Sequence, residues 1–493
     1  MPERRTGSSG HGRRRRLSFE RLAGLAVTAA ALAASAPLVA QPDWEALEPE
    51  ILEHFQAIVQ RDSTSPPLVP PGGEKEVVDY LRTVLESEGI PVKIFALEEN
   101  RPNLVARLEG SGKKQPLLVM AHTDTVNVDP AKWTAAGPFS AERKDGHIYG
   151  RGTVDDKDNV VAGLMILLEL KRQQVPLDRD VIFLAEAGEE GNTHVGIAFM
   201  VEQHWSEIEA EYAIAEGGSV LRSGGEISFA SVQTLEKLPF RIELVARGVA
   251  GHGSVPLQSN PVARLSKAVA KIADWPSPMR LNETTSAYFQ RMAELVEARD
   301  PEAAERYRSV LDPERIAEAD EHFREHEPHH ASMLRTSLSP TILDAGYRIN
   351  VIPSEARASV DTRALPDEEI ESFLDQVRAV IDDDAVEVSL GQRATRPGSG
   401  DARLNTEAFE VIERMVARHY DTATLPSMST GATDMAFLRA RGIQSYGIGP
   451  VRDVEDGPKG FGAHSDQERI LEEELYRFVR FHYDVVVELA AAR

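Results

Sequence analysis

His122, Asp155, Glu189, Glu190, Glu216 and His464 are residue types that can cage divalent cations, and several of them follow apolar runs of strand length. The run 117–121 leads into His122, with Asp124 two residues on; 181–185 leads to Glu189-Glu190, and 212–215 ends at Glu216. Such uninterrupted runs read as strands buried on both faces. In open α/β sheets functional groups collect just beyond the carboxyl ends of the strands. Two zinc ions bring four positive charges, which three carboxylates and a shared hydroxide would cancel. With Asp155 bridging, each ion receives one imidazole and one terminal carboxylate and keeps an open position for substrate. Metals about 3.5–4 Å apart can hold a hydroxide between them and polarise a carbonyl. Asp124 is placed to accept the second ring N–H of His122 and fix its tautomer. Glu189 is placed to take a proton from the water and deliver it to a leaving nitrogen. The chemistry is metal-assisted hydrolysis.

The elements that must position these groups exceed one domain. At 493 residues, two cores are expected. A formal net charge of -24 argues against a nucleic-acid surface. The absence of cysteine excludes disulfides and thiolate zinc sites, leaving histidine and carboxylate as ligands. At the N-terminus Arg13-Arg14-Arg15-Arg16 precedes an apolar segment and the small residues Ala34-Ser35-Ala36 and Val39-Ala40. That is the layout of a secretory signal over 1–40, cut after Ala40 because Pro37 disfavours a cut after Ala36. It predicts a secreted or periplasmic protein rather than a membrane-anchored one, since the segment is short and alanine-rich for a span. Residues 41–236 then read as the first part of a catalytic α/β domain, with a proline-rich loop near 65–73 and a helix over 159–170. From 237 to 392 the order β-α-β-β-α-β is that of a ferredoxin-like α+β domain. A charged, helix-prone insertion at about 275–335 enlarges it. The glycine-rich stretch 396–400 returns the chain to the catalytic domain over 393–493, which adds a strand at 443–448 and a closing helix from 467 to 491.

These residues also carry a resemblance. The segments His122-Thr123-Asp124, Gly150-Arg151-Gly152-Thr153-Val154-Asp155-Asp156-Lys157, Glu189-Glu190-Gly191, Glu216-Gly217-Gly218 and Ala463-His464-Ser465 resemble a zinc-dependent family. It is that of glutamate carboxypeptidase, aminoacylase, acetylornithine deacetylase and succinyl-diaminopimelate desuccinylase. Gly251-His252-Gly253-Ser254-Val255-Pro256, Asn350-Val351-Ile352-Pro353 and Gly431-Ala432-Thr433-Asp434 match as well. The resemblance implies a zinc-peptidase-like α/β domain with an inserted ferredoxin-like lid. It implies two Zn2+ ions, with Co2+ or Mn2+ as substitutes, one on His122 and Glu216, the other on Glu190 and His464, bridged by Asp155. It further implies a cis peptide after Asp155, Glu189 as general base and Asp124 as orienting residue. His252 would stabilise the oxyanion, in many dimeric members from the partner subunit, so a homodimer through the lid is expected. Asn350, Arg363, Gly431 and Thr433 resemble substrate-binding positions, Arg363 being the clamp for a substrate carboxylate. The implied reaction cleaves an amide or peptide bond next to a free carboxylate, in a small peptide or an N-acyl amino acid.

Two rival readings exist. His326-Glu327-Pro328-His329-His330 satisfies the HExxH pattern of a zincin-type endopeptidase, which needs both histidines one turn apart on one helix face. Pro328 would break that helix. A non-catalytic metal-binding homologue would have lost a ligand or the base, and none is missing.

Overall fold

The computed structural model describes residues 41–64, 73–393, 396–398 and 400–492. The expected signal over 1–40 and most of the proline-rich loop lie outside these. Among the described residues no helix is long and apolar enough to cross a membrane.

The centre of the larger sheet is four parallel strands in the order Val181–Glu186, Leu117–His122, Tyr212–Ala215, Gln444–Gly447. Strand periodicity sends Leu117, Val119 and Ala121 into one apolar cluster and Leu118 and Met120 into the cluster on the opposite face. Both faces are therefore covered, which is why these strands lack polar alternation. Helices Lys157–Arg172 and Glu472–Ala490 pack together on the first face; Ile197–Gln203 and Met435–Ala440 cover the second. The closing helix begins at Glu472 rather than 467, because Arg469–Leu471 pairs antiparallel with His147–Tyr149.

The smaller sheet is antiparallel, ordered Ser337–Ala345, Glu355–Ala364, Leu238–Arg247, Val386–Arg393. Helices Pro261–Asp274 and Ile370–Ile381 bury Leu265, Ala268, Ile272, Phe373, Leu374 and Val377 with that sheet. This is the ferredoxin-like order. The molecule is thus an α/β catalytic domain carrying an inserted α+β lid.

The insertion departs from expectation. Its helices Glu283–Val296, Pro301–Ser309, Ile316–His326 and Pro328–Met333 share a core with Leu235, Leu425 and Met428, on the large-sheet strands Glu226–Glu236 and Thr424–Ser429. It therefore buttresses the catalytic sheet as well as the lid, whose Leu365 joins the same core. It also holds the junction between the two domains: Lys237 donates to Arg335 O at 2.7 Å and to Ser332 and Ser337 Oγ at 3.1 Å each.

Candidate metal centre

Three of the parallel strands, or the turns after them, deliver side chains to one point. His122 is the last residue of its strand and is 1% exposed. Glu189 and Glu190 follow Gly188, which takes φ +81° where a Cβ would strike the Asn192 carbonyl. Glu216 precedes Gly217, at φ +105°, where a Cβ would meet the Gln233 side chain. Asp155 enters just before the helix Lys157–Arg172, at a cis peptide with Asp156.

The carboxylate of Asp155 sits between two imidazoles. His122 Nε2 lies 3.1 Å from its Oδ1, and His464 Nε2 lies 3.0 Å from its Oδ2. Glu216 Oε2 is 3.9 Å from His122 Nε2, and Glu190 Oε1 is 3.0 Å from His464 Nε2. Ligand atoms of His122, Asp155 and Glu190, and likewise of His122, Asp156 and Glu216, lie within 4.8 Å of one another. Ligands held 2.0–2.2 Å from a tetrahedral zinc stand about 3.4 Å apart, so these spacings and the all-nitrogen-and-oxygen donor set fit such ions. Asp156 is occupied otherwise: it accepts the His122 N–H at 3.1 Å and the Asn159 amide at 2.5 Å.

Asp124 does more than orient a ring. His122 Nδ1 is 3.0 Å from the Asp124 carbonyl and 3.4 Å from its carboxylate. The carboxylate oxygens each accept a backbone N–H, from Glu189 and from Glu190, at 3.1 Å. One buried side chain thus ties the His122 strand to the turn bearing both glutamates.

Electrostatics follow from crowding. Burial pushes Glu189 well above the usual carboxylate range, against the pull of Arg396. Burial and the neighbouring Glu189 push Glu216 up. Burial opposes charge on His122, yet hydrogen bonds to Asp124 and Asp155 outweigh it and raise its pKa. Hydrogen bonds to Asp155 and Glu190 lift His464 to about 10.

Sequence reading missed Arg396, Asp434 and Glu186. Arg396 Nη2 donates to the Glu189 carbonyl at 2.9 Å, to its carboxylate, and to Asp434 Oδ1 at 3.2 Å. Glu186 and Asp434 are each 1% exposed and complete an acidic pocket behind the base. The signals available were an arginine beside Pro-Gly in the connector between domains, Asp434 at the end of its glycine-led motif, and Glu186 at the end of the apolar run 181–185.

The remaining expected residues are placed apart from this cluster or turned from it. The His252 ring bonds to Ser254, its carbonyl accepts from Val255 N–H, and it pairs with Val351 in a two-residue ribbon; Gly253 N–H donates to the Asn350 carbonyl, so His252 and Asn350 are neighbours on the lid. Arg363 is engaged with Asp361 of its own strand at 3.0 Å. The Thr433 hydroxyl turns inward to Glu236, and Gly431 N–H donates to Ser429 Oγ. The zincin pattern fails. His326 ends one helix and Pro328 opens the next, while Glu327 sits between them within 3.0 Å of His322, His330 and the Tyr307 hydroxyl. That glutamate is a clamp inside the helical insertion. A further cluster of His147, Asp453 and Asp456 has both carboxylates already paired, with Arg222 and Arg469.

Among known proteins, the chain is 28% identical over 330 residues to a probable carboxypeptidase S-like 2 of Dictyostelium discoideum, covering 65% of this chain and 62% of that one. It is 29% identical over 389 residues to the N-fatty-acyl-amino acid synthase/hydrolase PM20D1 of Xenopus tropicalis, covering 75% and 72%. The fold matches an M20 family metallo-carboxypeptidase, Sso-CP2, from Sulfolobus solfataricus, with TM-score 0.65, 20% identity and coverage of 89% and 98%. Human carnosine dipeptidase 1 follows, at TM-score 0.63, 16% identity and coverage of 90% and 97%. The model of peptidase family M20/M25/M40 matches residues 118–488, which hold every residue of the cluster, and the chain belongs to that family.

Proposed function

We propose that the protein hydrolyses the amide or peptide bond adjoining a free carboxylate, in a small peptide or an N-acyl amino acid, with two zinc ions. The observation that carries this is the placement of the two Asp155 oxygens, one against His122 and the other against His464. His122 and Glu216 would hold one ion, His464 and Glu190 the other, with Asp155 shared. Such ions, when bound, lower the pKa of a water and polarise the substrate carbonyl. Glu189 accepts the proton of that water and passes it to the leaving nitrogen. Asp124 holds Glu189 at that station through its backbone N–H. The printed names of the relatives, a carboxypeptidase S-like protein and an N-fatty-acyl-amino acid hydrolase, support this substrate class. Export through the 1–40 segment belongs to the same proposal.

The clamp for the carboxylate is assigned to Arg396 in place of Arg363. Glu189 must come within hydrogen-bond reach of the leaving nitrogen, and in an amino acid the carboxylate carbon is two bonds from that nitrogen. Arg396 already touches Glu189, and a guanidinium takes a carboxylate in bidentate fashion. Zinc-loaded protein should therefore cleave N-acyl amino acids and dipeptides and stop when chelated. Arg396→Met should erase most of the preference for a free carboxylate over the matching carboxamide, a change of about 10–100-fold in kcat/KM ratio. Equal loss on both substrates would remove Arg396 from substrate recognition. Failure of the wild type on the whole panel would end the hydrolase assignment.

A homodimer through the lid is proposed as well. The strand Ser337–Ala345 is an edge of its sheet and exposes Ile342 and Leu343, and the loop after it exposes Tyr347 and Ile349. Unpaired apolar edges invite another chain. Sedimentation should give a dimer that Leu343→Lys converts to monomer; a wild-type monomer would exclude it.

A further inference from the structure

The element bearing His464 differs from those bearing the other ligands. Its imidazole is 53% exposed, its backbone takes φ +61°, and it lies in a loop between Lys459 and Arg469 instead of at a core strand's end. Gln467 ties that loop to Lys132 and Ala135 at the surface, and one buried ion pair fixes it next to His464. Arg151 Nη1 lies 2.5 Å from Glu468 Oε2, with the two side chains 2% and 0% exposed. Arg151 Nη2 donates to the Ser465 carbonyl at 2.9 Å, one residue past His464. The other Glu468 oxygen accepts the Val154 N–H at 3.0 Å, one residue before Asp155. Gly150 N–H donates to the Glu468 carbonyl at 3.0 Å, and the Arg151 guanidinium lies over the Trp133 ring. A single guanidinium–carboxylate pair therefore touches the neighbour of Asp155 and the neighbour of His464.

We propose that Arg151 and Glu468 are positioning residues that hold His464 against Asp155 Oδ2 and so set the affinity for the second ion far more than that for the first. This rests on the two-ion reading above. The first ion leans on the pair less: His122 and Glu216 sit at the ends of strands buried on both faces, and only the shared Asp155, next to Val154, adjoins it. An exposed imidazole on a loop is less constrained than one at the end of a buried strand, and ordering it is part of the cost of binding. The second position is then the exchangeable one, and the pair decides how exchangeable. A fully buried ion pair is a poor device for stability, since apolar replacements of both partners often serve as well. Its geometry accounts for it as a spacer between two ligands.

Calorimetric titration of metal-stripped protein with zinc, with ions counted by elemental analysis, tests this. Arg151→Met alone strands Glu468 as an unpaired buried charge, so the double variant Arg151→Met/Glu468→Gln is the one to use; it removes both charges and leaves an acceptor for Val154 N–H. His464→Ala supplies the reference isotherm for a broken second position. The double variant should leave the first Kd nearly unchanged, weaken the second by about 10–100-fold, and melt as a folded protein. Two ions bound as tightly as in wild type would overturn the proposal, and so would parallel weakening of both. A wild type that takes up fewer than two ions would overturn it together with the two-ion reading beneath it.

Discussion

Glu189→Gln retains both zinc ions and loses turnover by about 10²–10⁴-fold, the usual share of a general base. The side chain is 8% exposed and belongs to a turn whose shape does not depend on its charge: the backbone N–H groups of Glu189 and Glu190 are both held by Asp124. An amide fills the same volume and still accepts from Arg396 through its oxygen. It cannot carry a proton from water to the leaving nitrogen. Glu190, the neighbouring ligand, reaches His464 and is untouched. Because the lost step occurs only in the transition state, kcat and kcat/KM should fall together while KM holds. Steady-state kinetics beside metal content decides it. Turnover near the wild-type value, or loss of an ion, would remove Glu189 from the role.

Much of this site was legible in the chain, for a physical reason. A strand buried on both faces leaves a continuous apolar run, so a histidine or glutamate at its end stands out, as His122 and Glu216 do. The lid's β-α-β-β-α-β order was legible because its helices and strands alternate in period. The supports of the site were not. Arg396 meets Glu189 across 207 residues, and Arg151 meets Glu468 across 317; nothing local marks such pairs. Helices of the insertion advertise an apolar face without saying which surface it covers, and Leu235, Leu425 and Met428 turned out to be that surface. The inward turn of Thr433 was not legible either: a threonine in a glycine-flanked loop reads as exposed, whereas Glu236 draws its hydroxyl inward. The zincin pattern failed because it encodes spacing and ignores the proline between its histidines.

Metal removal should destabilise the protein, and increasingly so as pH rises. Each tightly held ion, at about a thousand times its Kd, stabilises the folded state by about 4 kcal/mol. Without ions the carboxylates depend on protons. Burial holds Glu186, Glu189 and Glu216 above their ordinary 4.5, and hydrogen-bonded carboxylates hold His464 above 6.5. Each of these groups binds a proton more readily folded than unfolded, so the stability it contributes is complete below its unfolded pKa and is lost as pH climbs through the folded one. Asp155 runs the other way: despite burial, hydrogen bonds from His122 and His464 hold it low, so its contribution is lost only as pH falls below about 4. Chelated protein should therefore lose stability in urea titrations as pH rises above the ordinary glutamate value of 4.5 and on through the His464 value of about 10, and saturating zinc should flatten that slope by replacing the protons. Glu216→Gln separates the two effects. It relieves the metal-free protein of one crowded carboxylate, so stability without zinc should hold or rise above wild type, while the gain on adding zinc shrinks. A metal-free Glu216→Gln protein clearly weaker than metal-free wild type would show that Glu216 serves the fold and not a cation.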